Sequence, residues 1–464
     1  MQYRKYNILI QKYRIALIGV MLAWVLGVMT YWSGLPSGDK LPTFILGAAI
    51  YIGLLLFFGL LVWWLMFKPV SNSAEISTTI TTFPIVIRRG VALGLLLATF
   101  VITIGGAWDE VWHRQYGVPF GEDLFWRPHL LMYFGFMIVM GLSAIAFLLV
   151  WRRGQGAIAH RLRKMPHIAW LVIMGALFTF VLPADPVWHV IYGDDISAWS
   201  IPHFMLTVGS FSIAVVAVSW MLSTVAPRDW QVRMPLTWVD FFVIAVVIAS
   251  TSGGYQVLLT EWDALNHSTV AAFMAANNRP EWILPVMLIG IAGIIGGMVN
   301  HSLRRWGAAT LLGLLSLALR VFLLQSFDYN GMTANAWVIA IPPLVALDLV
   351  YAWRLRDGKL PTLWQGSLAM TTGTLLLMVP LINVIYSYPH FAGGELLPIA
   401  FYGMLVGMPA LWVGRIAGDY LGVENKQLEA AATLPPNIRI AIPAVLALAI
   451  AFIIFFVATA NPPI

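Results

Sequence analysis

Residues 90–117 read GVALGLLLATFVITIGGAWDEVWHRQYG, and this stretch decides the fold. Its first part is an apolar run that can cross a bilayer as a helix, which takes about 20 residues at roughly 1.5 Å each. Its second part ends that run with Asp109, Trp112 and His113. Working outward, similar runs recur along the whole chain. They lie near residues 15–33, 43–67, 90–108, 129–151, 167–184, 203–225, 238–260, 282–300, 307–326, 337–353, 366–387, 398–415 and 440–460. The expected fold is therefore all-α: a polytopic membrane bundle of about thirteen helices, because a bilayer leaves no place for unpaired backbone.

Composition agrees. The 464 residues are 60% hydrophobic and only 10% charged, which excludes an ordinary soluble domain. There are no cysteines, so disulfides, thiolate metal sites and iron–sulfur clusters are excluded, and His, carboxylates and Met remain as metal ligands. The basic start, Met1 to Arg14, runs into the first apolar stretch with no small-residue cleavage site, so the first helix is expected to stay in place.

The net charge of +6 reads as basic loops rather than a nucleic-acid surface. With the N-terminus in the cytoplasm, the inner loops and tail carry 22 of the 27 basic residues. The same topology places six of the nine histidines outside. The chain divides into an N-terminal two-helix segment (1–89), a hairpin region (90–300) and a C-terminal helical region (301–464), within a single membrane domain. A multi-pass cell-membrane protein is expected, with the lipid bilayer as its first partner and no nucleic acid.

The end of the opening stretch is said twice. Asp109-Glu-Val-Trp-His113-Arg-Gln-Tyr116-Gly117 returns as Asp185-Pro-Val-Trp-His189-Val-Ile-Tyr192-Gly193. Each copy is followed by a histidine behind a proline, Pro128-His129 and Pro202-His203. A third place, Asp263 and His267 followed by Glu281, keeps part of the pattern, so the region reads as duplicated two-helix hairpins. Both copies fall outside in this topology. Residues four apart share a helix face, so Asp109 with His113, and Asp185 with His189, can converge if the helix continues past the tryptophan. The returning His129 or His203 would supply a second imidazole. Two imidazoles and one carboxylate suit Cu(II), Zn(II) or Fe(II) and leave positions for water or substrate. Asp123, Asp194 or Asp195 could orient a bound imidazole. The plainer reading is that such residues anchor the interface or form an ion pair.

On these residues the chain resembles the C subunit of the particulate methane and ammonia monooxygenases. That family carries Asp-x3-His-x12-His on one membrane hairpin and Asn-x3-His-x13-His on the next. Asp109, His113 and His129 follow the first pattern with fifteen residues between the histidines, and Asp185, His189 and His203 follow the second with Asp for Asn. The resemblance covers about residues 90–225. It implies copper at these six residues, other membrane subunits, and a partner with a periplasmic redox domain. The expected function is a metal-binding, copper-type membrane protein within a multi-subunit redox complex. One alternative is a non-catalytic subunit of a respiratory or photosynthetic electron-transfer complex, and another is a transporter. No reaction is named by the sequence.

Other charges bear on the alternatives. Arg320 and Asp348 fall within apolar spans, where a charge costs at least a few kcal/mol unless paired or hydrated. Glu281 or Glu395 is the expected partner of Arg320, and Asp240 is expected to reach water. Met132, Met137, Met140 and Met205 are expected to pack rather than bind Cu(I). Gly293 and Gly297 mark a close helix contact. There is no phosphate-binding glycine loop.

Overall fold

The computed structural model describes residues 41–68, 83–116, 123–192, 201–226, 228–230, 236–250, 281–327, 340–385, 391, 393–424, 448 and 451–459. Helices dominate. They are α1 (Leu41–Val62, continued by a wider π turn to Phe67), α2 (Ile85–Tyr116), α3 (Arg127–Arg153), the short α4 (Ile158–Lys164), α5 (Pro166–Tyr192) and α6 (Ile201–Leu222). After α7 (Trp238–Ser250) come α8 (Ile283–Leu303), α9 (Ala308–Ser326) and α10 (Ile341–Arg356). α11 runs from Leu363 to Ile385 through a π turn at Thr374–Met378, and α12 is Gly393–Asp419 with a π turn at Tyr420–Glu424.

Among the described residues nine helices are long and apolar enough to cross a membrane. They coincide with nine of the expected spans. The stretch expected near 337–353 is a helix of 16 residues at Ile341–Arg356, shorter than a full span. α7 is described only to Ser250, and the runs near 15–33 and most of 440–460 lie outside the described residues. The third Asp263/His267 pair also lies outside them.

The chain forms two compact units. The first comprises Met1–Thr82, Val118–Leu124 and Phe136–Ser212; the second comprises Phe83–Gly117, Phe125–Gly135 and Ile213–Ile464. In the first unit, α1 packs on α5. The Tyr51 hydroxyl donates to the Ala184 carbonyl (2.9 Å), and its ring meets Trp188 edge-on at 5.1 Å. Small residues bring α3, α5 and α6 together. A Cβ on Gly175 would come within 2.5 Å of the Ser143 Cβ, and one on Gly209 within 2.9 Å of Leu177. Arg161 donates to the Val150 carbonyl near the end of α3, satisfying an acceptor that the helix leaves open.

In the second unit, α8 and α12 are the closest pair. A Cβ on Gly293 would sit 3.0 Å from the Leu411 nitrogen, and one on Gly418 would sit 2.5 Å from the Met298 carbonyl. Gly293 and Gly297 are thus the expected close contact, answered by glycines on α12. In hydrocarbon, such fit supplies the attraction that water would otherwise drive.

Two carboxylates in this unit start helices. Asp348 accepts from the Thr310 backbone N–H (2.7 Å) and from the Asn300 amide (2.7 Å), so it caps the first turn of α9 from another helix. Asp240 accepts from the Thr237 N–H at 2.8 Å and pairs with Arg228 at 2.5 Å, as a capping box does for α7. The expectation that Asp240 simply reaches water is corrected: it is buried and paired.

Candidate functional site

Both copies of the repeated phrase lie on helices that run past the tryptophan. α2 continues to Tyr116 and α5 to Tyr192, so Asp109 and His113, and Asp185 and His189, each occupy one helical face. α5 does so across Pro183 and Pro186. The first of these prolines leaves the carbonyl four residues back without its N–H donor.

Each copy closes on its returning histidine. In the second unit, Nε2 of His129, on the first turn of α3, lies 2.9 Å from Oδ1 of Asp109. In the first unit, Nε2 of His203, on the first turn of α6, lies 3.2 Å from Oδ1 of Asp185. The first pair is 16% and 18% exposed, the second 27% and 24%. Two of the three proposed ligands therefore meet in each copy. The side chains of His113 and His189 lie outside the described residues, as do Asp194, Asp195 and the Asp123 side chain. Among the described residues no group of three or more His, Asp or Glu is placed to hold a metal ion. An Asp–His contact of this length suits a shared proton, and it also suits two ligands waiting on a third.

The methionines divide as packing predicts. Met132 fills the space above Gly105 and Gly106, where a Cβ would lie 2.7 and 3.6 Å from its atoms. Met205 is buried and Met137 faces outward.

A further residue joins the first copy. Glu110, beside Asp109, forms a buried ion pair with Arg320 of α9. The partner expected for Arg320 was Glu281 or Glu395, and that expectation is corrected. Successive helical residues point about 100° apart, so Asp109 and Glu110 address different neighbours, but nothing in the sequence names Arg320 as the second of them. Asp109 turns to α3 and Glu110 to α9, and the end of α2 thereby holds two other helices by charge. At the equivalent place the second copy has Pro186, which can make no such pair.

Aromatic side chains wall the first copy. Trp108 stacks on Phe327 at 5.8 Å and meets Trp112 edge-on at 5.0 Å, while Trp112 meets Trp126 at 5.7 Å. Arg127 lies 4.8 Å over Phe456 and donates to its carbonyl at 3.2 Å.

Comparison with known proteins gives one informative likeness. No family model matches the chain, and no solved structure matches it. Over 275 residues the chain is 24% identical to the pseudopaline exporter CntI of Pseudomonas aeruginosa (strain UCBPP-PA14), a stretch that covers 58% of this chain and 87% of that protein.

Proposed function

We propose that this multi-pass membrane protein is a transporter that moves a polar solute across the bilayer at the expense of an ion gradient. The observation that carries the reading is the set of ionisable groups paired near the ends of apolar spans: Asp109 with His129, Glu110 with Arg320, and Asp185 with His203. Ionisable groups kept at membrane depth are expensive and mark transport pathways and proton relays. The likeness to an exporter supports the same reading.

In this reading the Asp–His pairs are the proton-accepting groups. A histidine in contact with a carboxylate is the kind of pair that proton relays in membrane transporters use. Glu110–Arg320 holds the first pair in place. The test is flux in proteoliposomes under an imposed proton gradient, with pseudopaline as the first cargo and proton movement read by an internal pH dye. Cargo-dependent proton flux that disappears in Asp109→Asn and Asp185→Asn is the expected result. Proteoliposomes that show no gradient-driven flux for any polar solute would remove the reading.

A second reading rests on a specific observation as well. The closure of His129 on Asp109 and His203 on Asp185 brings together two of the three residues that the monooxygenase resemblance assigns to copper. Asp109, His113 and His129, and Asp185, His189 and His203, would then hold the metal in a redox complex with other subunits. Imidazole and carboxylate donors fit copper, zinc or iron, and a bound ion would supply Lewis-acid or redox chemistry. Elemental analysis with EPR of the purified protein separates the readings. Stoichiometric copper that is lost in His113→Ala and His189→Ala supports the metal, and metal-free protein with full transport excludes it.

A further inference from the structure

Far along the chain from the repeated phrase, a polar cluster lies where α8, α10 and α12 end together. His301, in the last turn of α8, has Nδ1 2.9 Å from Oδ1 of Asp419 and Nε2 2.7 Å from the Tyr351 hydroxyl. Arg304 ends α8 in a left-handed conformation (φ 54°) and pairs with the same Asp419 oxygen at 2.9 Å. Trp230 closes the cluster. Its ring stacks on Tyr351 at 5.6 Å, meets His301 edge-on at 4.9 Å, and carries the Arg304 guanidinium at 5.6 Å.

Charge in this cluster does not balance. Asp419 answers Arg304. Arg415, one turn earlier on α12, rests 5.4 Å over the Tyr351 ring and donates through Nη1 to the Pro361 carbonyl at 2.8 Å. Its Nε and Nη2 are buried and make no hydrogen bond of good geometry among the described residues, although the guanidinium also interacts with the Tyr351 hydroxyl. These two donors form one edge of the guanidinium, with parallel N–H bonds that match two oxygens of a single oxyanion. Arg304 Nε and Trp230 Nε1 are also buried and unbonded among the described residues. Four unmet donors around one Tyr–Trp pair, two of them forming a fork, are costly to leave empty.

We infer that this cluster is a binding site for a phosphate-type oxyanion, seated on the open edge of Arg415 and reached by Trp230 Nε1 and Arg304 Nε. The cluster lies at the end of Ile283–Leu303, a helix long and apolar enough to cross a membrane, which puts it where a span meets the membrane surface if that helix spans. Basic pockets between helices at that level take lipid phosphate groups, and free phosphate has the same chemistry. The site is separate from the Asp–His pairs and does not depend on the transport reading.

The experiment uses the full chain in mild detergent, with two probes. Inorganic phosphate is titrated at constant ionic strength while thermal unfolding is followed. In parallel, native mass spectrometry reads retention of phosphatidylglycerol against phosphatidylcholine after exchange from mixed micelles. The wild type raises its Tm with phosphate, retains phosphatidylglycerol preferentially, or does both. A phosphate response without lipid retention identifies the free anion, and the converse identifies the headgroup. Arg415→Gln loses about tenfold or more of the affinity, and Arg415→Lys, which keeps the charge without the fork, recovers part of it. Trp230→Phe keeps the ring packing and loses one donor, so it weakens binding less and serves if the arginine variants fold poorly. Binding that is the same in the wild type, Arg415→Gln and Trp230→Phe overturns the site, as does a wild type that binds neither probe.

Discussion

The two copies of the Asp-x-Val-Trp-His phrase share their local chemistry and differ in what surrounds it. In both, a long helix carries Asp and His on one face, and a proline-led helix returns a histidine to the Asp, at 2.9 Å in one and 3.2 Å in the other. The first is tied to a third helix by charge, through Glu110 and Arg320, and the second by a neutral contact, with Tyr51 of α1 donating to the Ala184 carbonyl and its ring meeting Trp188. The second has Pro186 where Glu110 would be. A further difference lies about two turns earlier. Thr103 donates across to the Ala249 carbonyl of α7 at 2.5 Å, whereas its counterpart Thr179 donates within its own helix to Gly175 at 2.8 Å. Duplication thus preserved the pair, while each copy is tied to its surroundings by different means, a buried ion pair in the first and a tyrosine in the second.

The largest expected effect tests that ion pair. Arg320→Met leaves Glu110 buried without its partner, which costs about 3–5 kcal/mol. Chemical or thermal unfolding in detergent measures it. The double variant Glu110→Gln, Arg320→Met removes both charges and should recover most of that loss, since a buried pair contributes little beyond mutual compensation. A double variant as unstable as the single would break the comparison.

Next come the pairs themselves. Asp109→Asn and Asp185→Asn each remove one partly buried contact and should cost about 1 kcal/mol of stability. Their effect on flux should be far larger than their effect on folding if the pairs carry protons. Flux that tracks stability alone would reduce both pairs to scaffolding. The smallest effect sharpens the contrast between the copies. Thr103→Val should cost about 1 kcal/mol by orphaning an interhelical bond, while Thr179→Val should be close to neutral because only an intrahelical bond is lost. Equal effects in the two would mean that the copies are tied to their surroundings in the same way.

Much of this architecture is legible in the residues. Apolar runs locate spans because the bilayer accepts little else, and Gly293 with Gly297 marks a close helix contact, whose partner α12 only the structure supplies. The residues that close each hairpin are named by the repeat, in which an Asp is followed by a returning Pro-His. What spacing does not carry is contact between distant segments. Arg320 finds Glu110 some two hundred residues away, and nothing in its own surroundings names that partner. Asp348 reads as a charge needing water or a function, yet it caps a helix, because the N–H group that meets it comes from another stretch; Asp240 caps its own helix with Thr237, a Thr-x-x-Asp spacing that the sequence does carry. His301 reads as a single structural residue; only the packing of three helices shows it bonded to Asp419 and Tyr351. The side chains of His113 and His189, which the metal reading needs, lie outside the described residues.

One measurement tests the central claim most directly: proton-coupled solute flux in proteoliposomes of the wild type, Asp109→Asn and Asp185→Asn, each shown to be folded by its unfolding midpoint. The account predicts flux in the wild type that responds to the imposed proton gradient, and its loss in both variants despite midpoints near the wild type. Wild-type protein without gradient-driven flux, or variants that transport as well as it does, would contradict the account.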